Sequence, residues 1–219
     1  MTFRNLSVDS VKIEQKANNL RSDYFRSHKK TFDGPVPVDH ILEFLGYDLE
    51  FRSDGIYKDK DVLGGVLFDQ KLVQINEFIS NQEGRMNFTI AHEIGHIVLH
   101  SKLNDNSCEF RDNINEAWDE NKKEIEADKF ASNLLMPRDI VRDVFFKAYS
   151  KPITLKVGFL DILLNRTKRS KGLKIAAKIQ SNYQLSNVSK LAVLNKLIDL
   201  KLIQGLRFQK NVEYKKRRR

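Results

Sequence analysis

The feature that most constrains this chain is the pattern His-Glu-x-x-His at His92, Glu93 and His96, inside the apolar stretch FTIAHEIGHIVLH of residues 88–100. Side chains four residues apart lie on one face of an α-helix, so the two imidazoles can bind one tetrahedral Zn²⁺. Glu93 can reach the open coordination position, where the metal lowers the pKa of a water molecule to about 7. The pattern therefore predicts a metal, a nucleophile and a base within one helix.

A buried helix that carries two histidines and a glutamate without a metal is the alternative interpretation. The flanking residues are apolar, which predicts burial, and burying these three polar groups without partners is costly. A bound metal removes that cost. Gly95 lowers helix propensity by about 1 kcal/mol relative to alanine, which indicates the close approach of another backbone or of a substrate. The zinc interpretation is favoured, and it is typical of a metallopeptidase.

A third protein ligand is needed, because catalytic zinc takes three and keeps one position open. Residues 125–135 carry apolar side chains at helical spacing. Glu126 lies between two members of this stripe, and an acid at the border of a buried stripe needs a partner. Glu126 is therefore the predicted third ligand. Glu124 is interpreted as a solvated residue on the charged face of the helix.

Two neighbouring residues keep two interpretations each. His100 lies about 12 Å along the helix from His92, so it cannot bind the same ion. It either supports the site by contacting a metal-binding side chain or simply ends the helix. Asp128 either hydrogen-bonds a zinc-binding histidine, which is a common arrangement around zinc, or is an ordinary surface acid.

The stretches NFTIAHEIGHIVLH (87–100) and EIEADKFASNLLMP (124–137) together resemble the ImmA/IrrE family of bacterial metallopeptidases. The stretch GPVPVDHILEFLG (34–46) resembles the short helix that precedes the family's small sheet. The resemblance covers roughly residues 10–140 and, more weakly, 170–205. It implies that His92, His96 and Glu126 bind zinc and that Glu93 is the general base. Asn87 departs from the family, which often has a basic residue there, and this departure concerns a local salt bridge.

The order of elements predicts an α+β fold with a small antiparallel sheet at residues 1–140, and the family resemblance implies that this is a zincin-like, gluzincin-type peptidase domain. Helices are expected at 7–28, 38–45 and about 87–100, and strands at 47–52, 62–68 and 71–76. A strand beside the metal cleft can pair with an extended peptide substrate. The polar, acidic residues 101–121 are predicted to form a loop, in which Trp118 packs onto the core or lines a pocket.

The charge is divided unevenly along the chain. Residues 1–140 hold 18 Lys and Arg against 25 Asp and Glu, a net charge of −7, whereas residues 141–219 hold 20 against 4, a net charge of +16. This division predicts a second, basic, helical unit at 141–210 and a disordered basic tail at 211–219.

Two helical patterns in the basic unit, with Ser186 as N-cap of the second and an extended segment after it, resemble a winged helix-turn-helix. Lys190 and Lys196 would then contact the phosphates of DNA. The alternative is a helical pair with a solvated basic surface, which could instead dock an acidic partner, including the protein that is cleaved.

The remaining composition predicts a cytoplasmic protein. Cys108 is the only cysteine, so no intramolecular disulfide forms, and it is interpreted as a passive residue. The chain has no apolar run long enough to cross a membrane, and its first residues lack the apolar core of a signal peptide.

Two functions follow from these observations. The first is a zinc endopeptidase; the family resemblance implies that it cleaves a helix-turn-helix transcriptional repressor and so derepresses phage, mobile-element or stress genes. The second is a non-catalytic regulator that binds DNA or a repressor around a structural metal site. Tyr57 and His100 are candidates for the residue that stabilises the oxyanion of the tetrahedral intermediate.

Overall fold

The structure is a computed structural model that describes residues 9–56, 62–101, 113–159, 161, 164 and 167–208, with side chains left undescribed at 113–120. Seven α-helices have defined bounds in these ranges: α1 Ser10–Ser27, α2 Val38–Phe44, α3 Glu83–His100, α4 Asn113–Leu135, α5 Arg138–Ala148, α6 Lys168–Gln180 and α7 Lys190–Asp199. The strands with defined bounds there are β1 Asp48–Arg52, β2 Gly64–Leu67, β3 Leu72–Asn76, β4 Ile153–Thr154 and β5 Ile203–Gln204. This mixture is consistent with the predicted α+β class.

Contacts divide the chain into two compact units, Met1–Leu135 and Met136–Arg219. The first unit contains α1 to α4 and β1 to β3, and the second contains the remaining elements. Within the described residues, no helix is both long enough and apolar enough to cross a membrane.

The sheet of the first unit has the strand order β1-β3-β2 and is mixed. β2 and β3 form the expected antiparallel pair, but β1 runs parallel to β3, from Asp48 beside Leu72 to Arg52 beside Asn76. The prediction of an antiparallel sheet is therefore wrong for β1. The β2–β3 hairpin leaves one edge of β3 free, and β1 pairs with that edge. Alternation of apolar residues predicts where strands lie, but it carries no information about which edge a distant strand joins.

The acidic segment predicted as a loop is partly helical. Residues 113–121 form the first turns of α4, whereas residues 102–112 lie outside the described residues. The polar composition of the segment is that of a solvated helix face, which composition alone does not distinguish from a loop.

The second unit begins with α5 after Pro137, and α6 and α7 pack against each other. The N-cap of α7 is Ser189, whose hydroxyl accepts a hydrogen bond from the backbone N–H of Ala192 at 3.1 Å. The predicted N-cap Ser186 is wrong, because residues Tyr183–Leu185 form a turn of 3-10 helix and Ser186 Oγ donates to the carbonyl of Tyr183.

Two further features of the second unit differ from the winged helix-turn-helix prediction. The segment after α7 forms β5, which pairs in parallel with β4, a strand that precedes α6, and not with a neighbouring hairpin strand. Lys196, predicted to contact phosphate, is only 2 % exposed, so its ammonium group is buried within the protein. Lys190, the first residue of α7, is exposed.

In the first unit α4 packs against α3 and also against α1. α1 begins after Asp9, whose carboxylate accepts a hydrogen bond from the backbone N–H of Lys12. Buried side chains then recur along one face of the helix: Ile13, Ala17, Leu20, Arg21 and Tyr24. This spacing is that of an amphipathic helix, and it confirms the helix predicted at 7–28.

Arg21 is the polar member of this buried face, and it binds the C-terminal end of α4. Its Nη1 lies 3.3 Å from the carbonyl oxygen of Asn133 and 3.4 Å from that of Leu134, and its Nη2 donates to Asn18 Oδ1 at 2.8 Å. The last carbonyls of a helix have no partner within the helix, and a cation there also interacts favourably with the helix dipole. Arg21 therefore satisfies the end of α4 while burying its own guanidinium.

We predict that Arg21→Met lowers the free energy of unfolding by about 1–3 kcal/mol, because it leaves the carbonyls of Asn133 and Leu134 at the end of α4 without their charged donor. Urea denaturation measures the change. Arg26→Met on the same helix is the matched control, since Arg26 is highly exposed and pairs with the exposed Asp23, and it should cost less than about 0.5 kcal/mol. Equal losses in the two variants would contradict the role given to Arg21.

Candidate metal centre

Three side chains from two helices converge in the first unit. His92 and His96 of α3 place their Nε2 atoms 3.0 Å apart. Glu124 of α4 brings one carboxylate oxygen to 3.3 Å from His92 Nε2 and the other to 3.3 Å from His96 Nε2. Among the described residues, this is the group of metal-ligating side chains whose donor atoms lie close enough together to hold one ion.

The donor set fits a divalent metal of the zinc type. Two imidazoles and one carboxylate are a known set for catalytic zinc, with a fourth position left open. Zn–N distances of about 2.0–2.1 Å and tetrahedral angles place neighbouring ligand atoms about 3.3–3.4 Å apart, close to the separations of 3.0 and 3.3 Å found here. The Glu124 side chain is 57 % exposed, so the group is open to solvent on that side.

The close contact of α3 with α4 brings these residues together. A Cβ atom added at Gly95 would lie 3.0 Å from the Cα atom of Ala127 and 3.2 Å from its carbonyl oxygen. Gly95 lies between the two histidines of α3, and Ala127 lies between Glu124 and Asp128 of α4. The lack of a side chain at Gly95 thus lets α3 and α4 approach each other beside the donor atoms. This confirms the close approach of another backbone that Gly95 predicts.

Asp128 contacts the far side of the first histidine. Its Oδ1 atom lies 2.9 Å from His92 Nδ1, so the ring presents Nε2 to Glu124 and His96. Burial lowers the pKa of His92, but hydrogen bonds with Asp128 and Glu124 outweigh burial and raise that pKa to about 10. Hydrogen bonds to Glu124 from His92, and to a smaller extent from His96, hold the pKa of Glu124 well below its usual range. A metal that binds here replaces a proton shared among these groups.

The structure does not bring Glu126, the predicted third ligand, to the histidine pair; Glu124 lies there instead, in the group that could hold a metal ion. Glu126 Oε2 instead lies 3.0 Å from His100 Nε2. The physical reason is the rotation of α4: Ile125, counted in the apolar stripe, is 37 % exposed, and the buried face runs through Ala127 and Phe130. Glu126 therefore points toward the end of α3 and not toward its middle.

A sequence signal for Glu124 was available. Residues four apart lie on the same helix face. If an aspartate is expected to contact a zinc-binding histidine, the residue four positions before it therefore faces the same site. Asp128 was such a candidate, and Glu124 precedes it by that interval. The solvated surroundings of Glu124 obscured this relation, because an open metal site is itself solvated.

Glu93 lies on α3 next to His92 and is only 6 % exposed. Burial raises the pKa of Glu93, while the positive charges of His92 and His96 lower it by a smaller amount. A Cβ atom added at Gly64 of β2 would lie 2.6 Å from Glu93 Oε1 and 2.7 Å from Thr89 Cγ2. The edge of the sheet therefore packs directly on this carboxylate, and only glycine fits there without movement.

His100 ends α3 and is buried, at 5 % exposure. Its Nδ1 atom lies 3.2 Å from His96 Nδ1, on the side of the His96 ring that faces away from His92 and Glu124. Burial lowers the pKa of His100, while its hydrogen bond with Glu126 acts in the opposite direction. Tyr57 and Cys108 lie outside the described residues, as does the side chain of Trp118.

The comparisons with known proteins give one match. The family model described as IrrE N-terminal-like domain, Peptidase M78, matches residues 51–154. The matched range contains β1 to β3 and the two helices that carry the candidate metal ligands. No curated protein matches the chain.

We predict that Glu124→Ala abolishes stoichiometric zinc binding, because two histidines alone leave the ion without its carboxylate. Glu126→Ala is the matched variant on the same helix and should still bind one zinc per chain, with affinity lowered about tenfold. Mass spectrometry of the metal after reconstitution and dialysis measures the stoichiometry. Loss of zinc in Glu126→Ala with retention in Glu124→Ala would reverse the assignment.

We also predict that Gly95→Ala weakens zinc binding although alanine favours helix formation by about 1 kcal/mol. The added methyl group meets the backbone of Ala127, which cannot rotate away, so α4 must move by a few tenths of an ångström. Overpacking of this kind costs about 1–3 kcal/mol of stability. Zinc titration and urea denaturation measure the two effects, and unchanged zinc affinity would contradict the constraint.

Proposed function

We propose that this chain, whose residues 51–154 belong to the ImmA/IrrE family of metallopeptidases, is a cytoplasmic zinc endopeptidase with a zincin-like, gluzincin-type site. The observation that carries the proposal is the meeting of His92, His96 and Glu124 beside the buried carboxylate of Glu93. A structural metal site has four protein ligands and no use for a base, whereas this group offers three ligands and a base.

Zinc is the ion proposed for this group. His92 and His96 would hold it through Nε2 and Glu124 through its carboxylate, with Asp128 fixing the ring of His92. When bound, it would supply Lewis-acid chemistry, which polarises the scissile carbonyl and acidifies a water molecule. The remaining work falls to side chains of the protein.

Glu93 is proposed as the general base. Its carboxylate takes a proton from the attacking water and later gives it to the nitrogen of the leaving amine. A raised pKa suits this double role, because a base whose pKa lies nearer to neutral pH also releases its proton readily. The packing of Gly64 against Glu93 restricts the carboxylate to a narrow range of positions.

The substrate would bind in an extended conformation along β2. β3 pairs with one edge of β2, and no strand among the described residues pairs with the other. Because Gly64 of β2 packs on Glu93, a peptide added to the free edge would pass close to the base. Main-chain hydrogen bonds would then place a scissile bond without demanding a particular side chain.

The proposed substrate is a helix-turn-helix transcriptional repressor, whose cleavage derepresses phage, mobile-element or stress genes. The family resemblance supports this class. In α7 the exposed residues are Lys190 and Asp199, and Lys196 is buried, so this helix offers few side chains that could read DNA bases. The net positive charge of the second unit instead favours the docking of an acidic partner. Contact with DNA phosphates by the exposed lysines of this unit is the second possibility.

We predict that Glu93→Gln keeps one zinc per chain and loses repressor cleavage by at least about a hundredfold, because the amide cannot accept the proton. Sequencing of new protein N-termini in bacterial cells that express either form measures cleavage. The wild type should generate an N-terminus inside a helix-turn-helix repressor, and the variant should not.

Two outcomes would separate the proposed enzyme from a non-catalytic regulator. If Glu93→Gln releases the target genes as fully as the wild type does, catalysis is not how the protein acts. If both forms yield the same N-termini, the chain has no peptidase activity of its own on that repressor. The zinc content of the purified variant controls for loss of the metal site.

A further inference from the structure

We propose that His100 and Glu126 are positioning residues that form, with His96, a buried chain of hydrogen bonds that holds a proton on His96 Nδ1 and leaves Nε2 free for the metal. This inference rests on the proposed metal site and adds two residues that support it. It also gives a role to the carboxylate that the sequence suggested as a ligand.

The chain consists of two contacts in series. His96 Nδ1 lies 3.2 Å from His100 Nδ1, and His100 Nε2 lies 3.0 Å from Glu126 Oε2. Each ring of the pair therefore uses one nitrogen toward its neighbour and the other toward a different group. His96 Nε2 faces His92 and Glu124, which is the metal side.

The contacts permit one arrangement of protons when a metal is bound. A metal takes the lone pair of His96 Nε2, so in a neutral ring the proton must be on Nδ1, which then donates to His100. His100 must accept at Nδ1, and its own proton must be on Nε2. That N–H donates to Glu126, whose ionised carboxylate can only accept. Every position in the chain is thereby assigned.

The ring in the middle of these hydrogen bonds is shielded from water. His100 is 5 % exposed, and the Glu126 side chain is 20 % exposed. A donor that loses its partner in such surroundings cannot be satisfied by solvent, so the loss is not compensated. The carboxylate at the end of the chain also polarises both rings, which makes His96 a stronger ligand.

The two metal-binding histidines are therefore supported in different ways. Asp128 contacts His92 directly, but its side chain is 62 % exposed, so water can replace it. His96 is supported through the buried ring of His100, which water cannot replace. Removal of His100 should thus weaken metal binding more than removal of Asp128 does, although Asp128 is the one that carries a charge next to a ligand.

The test is a zinc titration of the full-length chain in competition with a chromophoric chelator. His100→Leu removes the acceptor, and we expect zinc affinity to fall about 10- to 100-fold. His100→Gln is the conservative variant: its amide oxygen can accept from His96 and its amide nitrogen can donate to Glu126. We expect His100→Gln to recover affinity to within a few-fold of wild type, and Asp128→Ala to lose less than His100→Leu.

Thermal unfolding of the metal-free proteins is the control for a merely structural role. The proposal expects metal-free His100→Leu to stay folded and to unfold in one transition, at a somewhat lower temperature because Glu126 loses its donor, and metal-free His100→Gln to melt close to wild type because its amide keeps both contacts. It is overturned if His100→Leu binds zinc as tightly as wild type, if His100→Gln is as weak as His100→Leu, or if Asp128→Ala is the weaker binder. If the wild type binds no zinc, the proposed function itself is contradicted, and with it the role given to these hydrogen bonds.

Discussion

The site depends on one close contact between two helices. Gly95 of α3 lies against the backbone of Ala127 in α4, at a distance that a Cβ atom would not permit without movement. The histidines flank Gly95 on one helix, and Glu124 and Asp128 flank Ala127 on the other. Helix packing is sensitive to side-chain size at the point of contact, so this small residue limits how far the donor atoms of α3 lie from those of α4.

A second glycine allows an equally close approach on the sheet side of α3. Gly64 allows β2 to approach Glu93 closely enough to limit where its carboxylate lies. The helix that carries the motif is thus held from α4 and from the sheet, with a glycine involved in each contact. Precise placement of metal ligands and base requires rigid supporting elements, and both contacts act on regular secondary structure.

Local features of the first unit followed from the sequence because they depend on local patterns. The amphipathic face of α1, the strands β2 and β3 and the motif helix all obey helical or alternating periodicity. The pairing of β1 with β3 did not follow, because parallel pairing depends on a connection whose path periodicity does not specify. The N-cap at Ser189 was displaced from Ser186 because a turn of 3-10 helix occupies the intervening segment.

The third ligand shows the limit of pattern reasoning most clearly. The sequence pattern favours Glu126 because it places Ile125 in the buried stripe, whereas Ile125 is 37 % exposed and the buried face of α4 runs through Ala127 and Phe130. Which face of a helix is buried depends on its partner helix, and Glu124 and Glu126 lie two positions apart, about 200° around the helix, so the orientation of α4 decides which of them faces the histidines. Glu126 lies instead at the end of the contacts that run from His96 through His100.

The most direct test of the central claim is anomalous diffraction at the zinc edge from crystals of the zinc-loaded, full-length protein. The account predicts one anomalous peak within bonding distance of His92 Nε2, His96 Nε2 and the Glu124 carboxylate, with Glu126 remaining on His100. A peak bonded to Glu126 in place of Glu124, or no peak at the histidine pair, would contradict it.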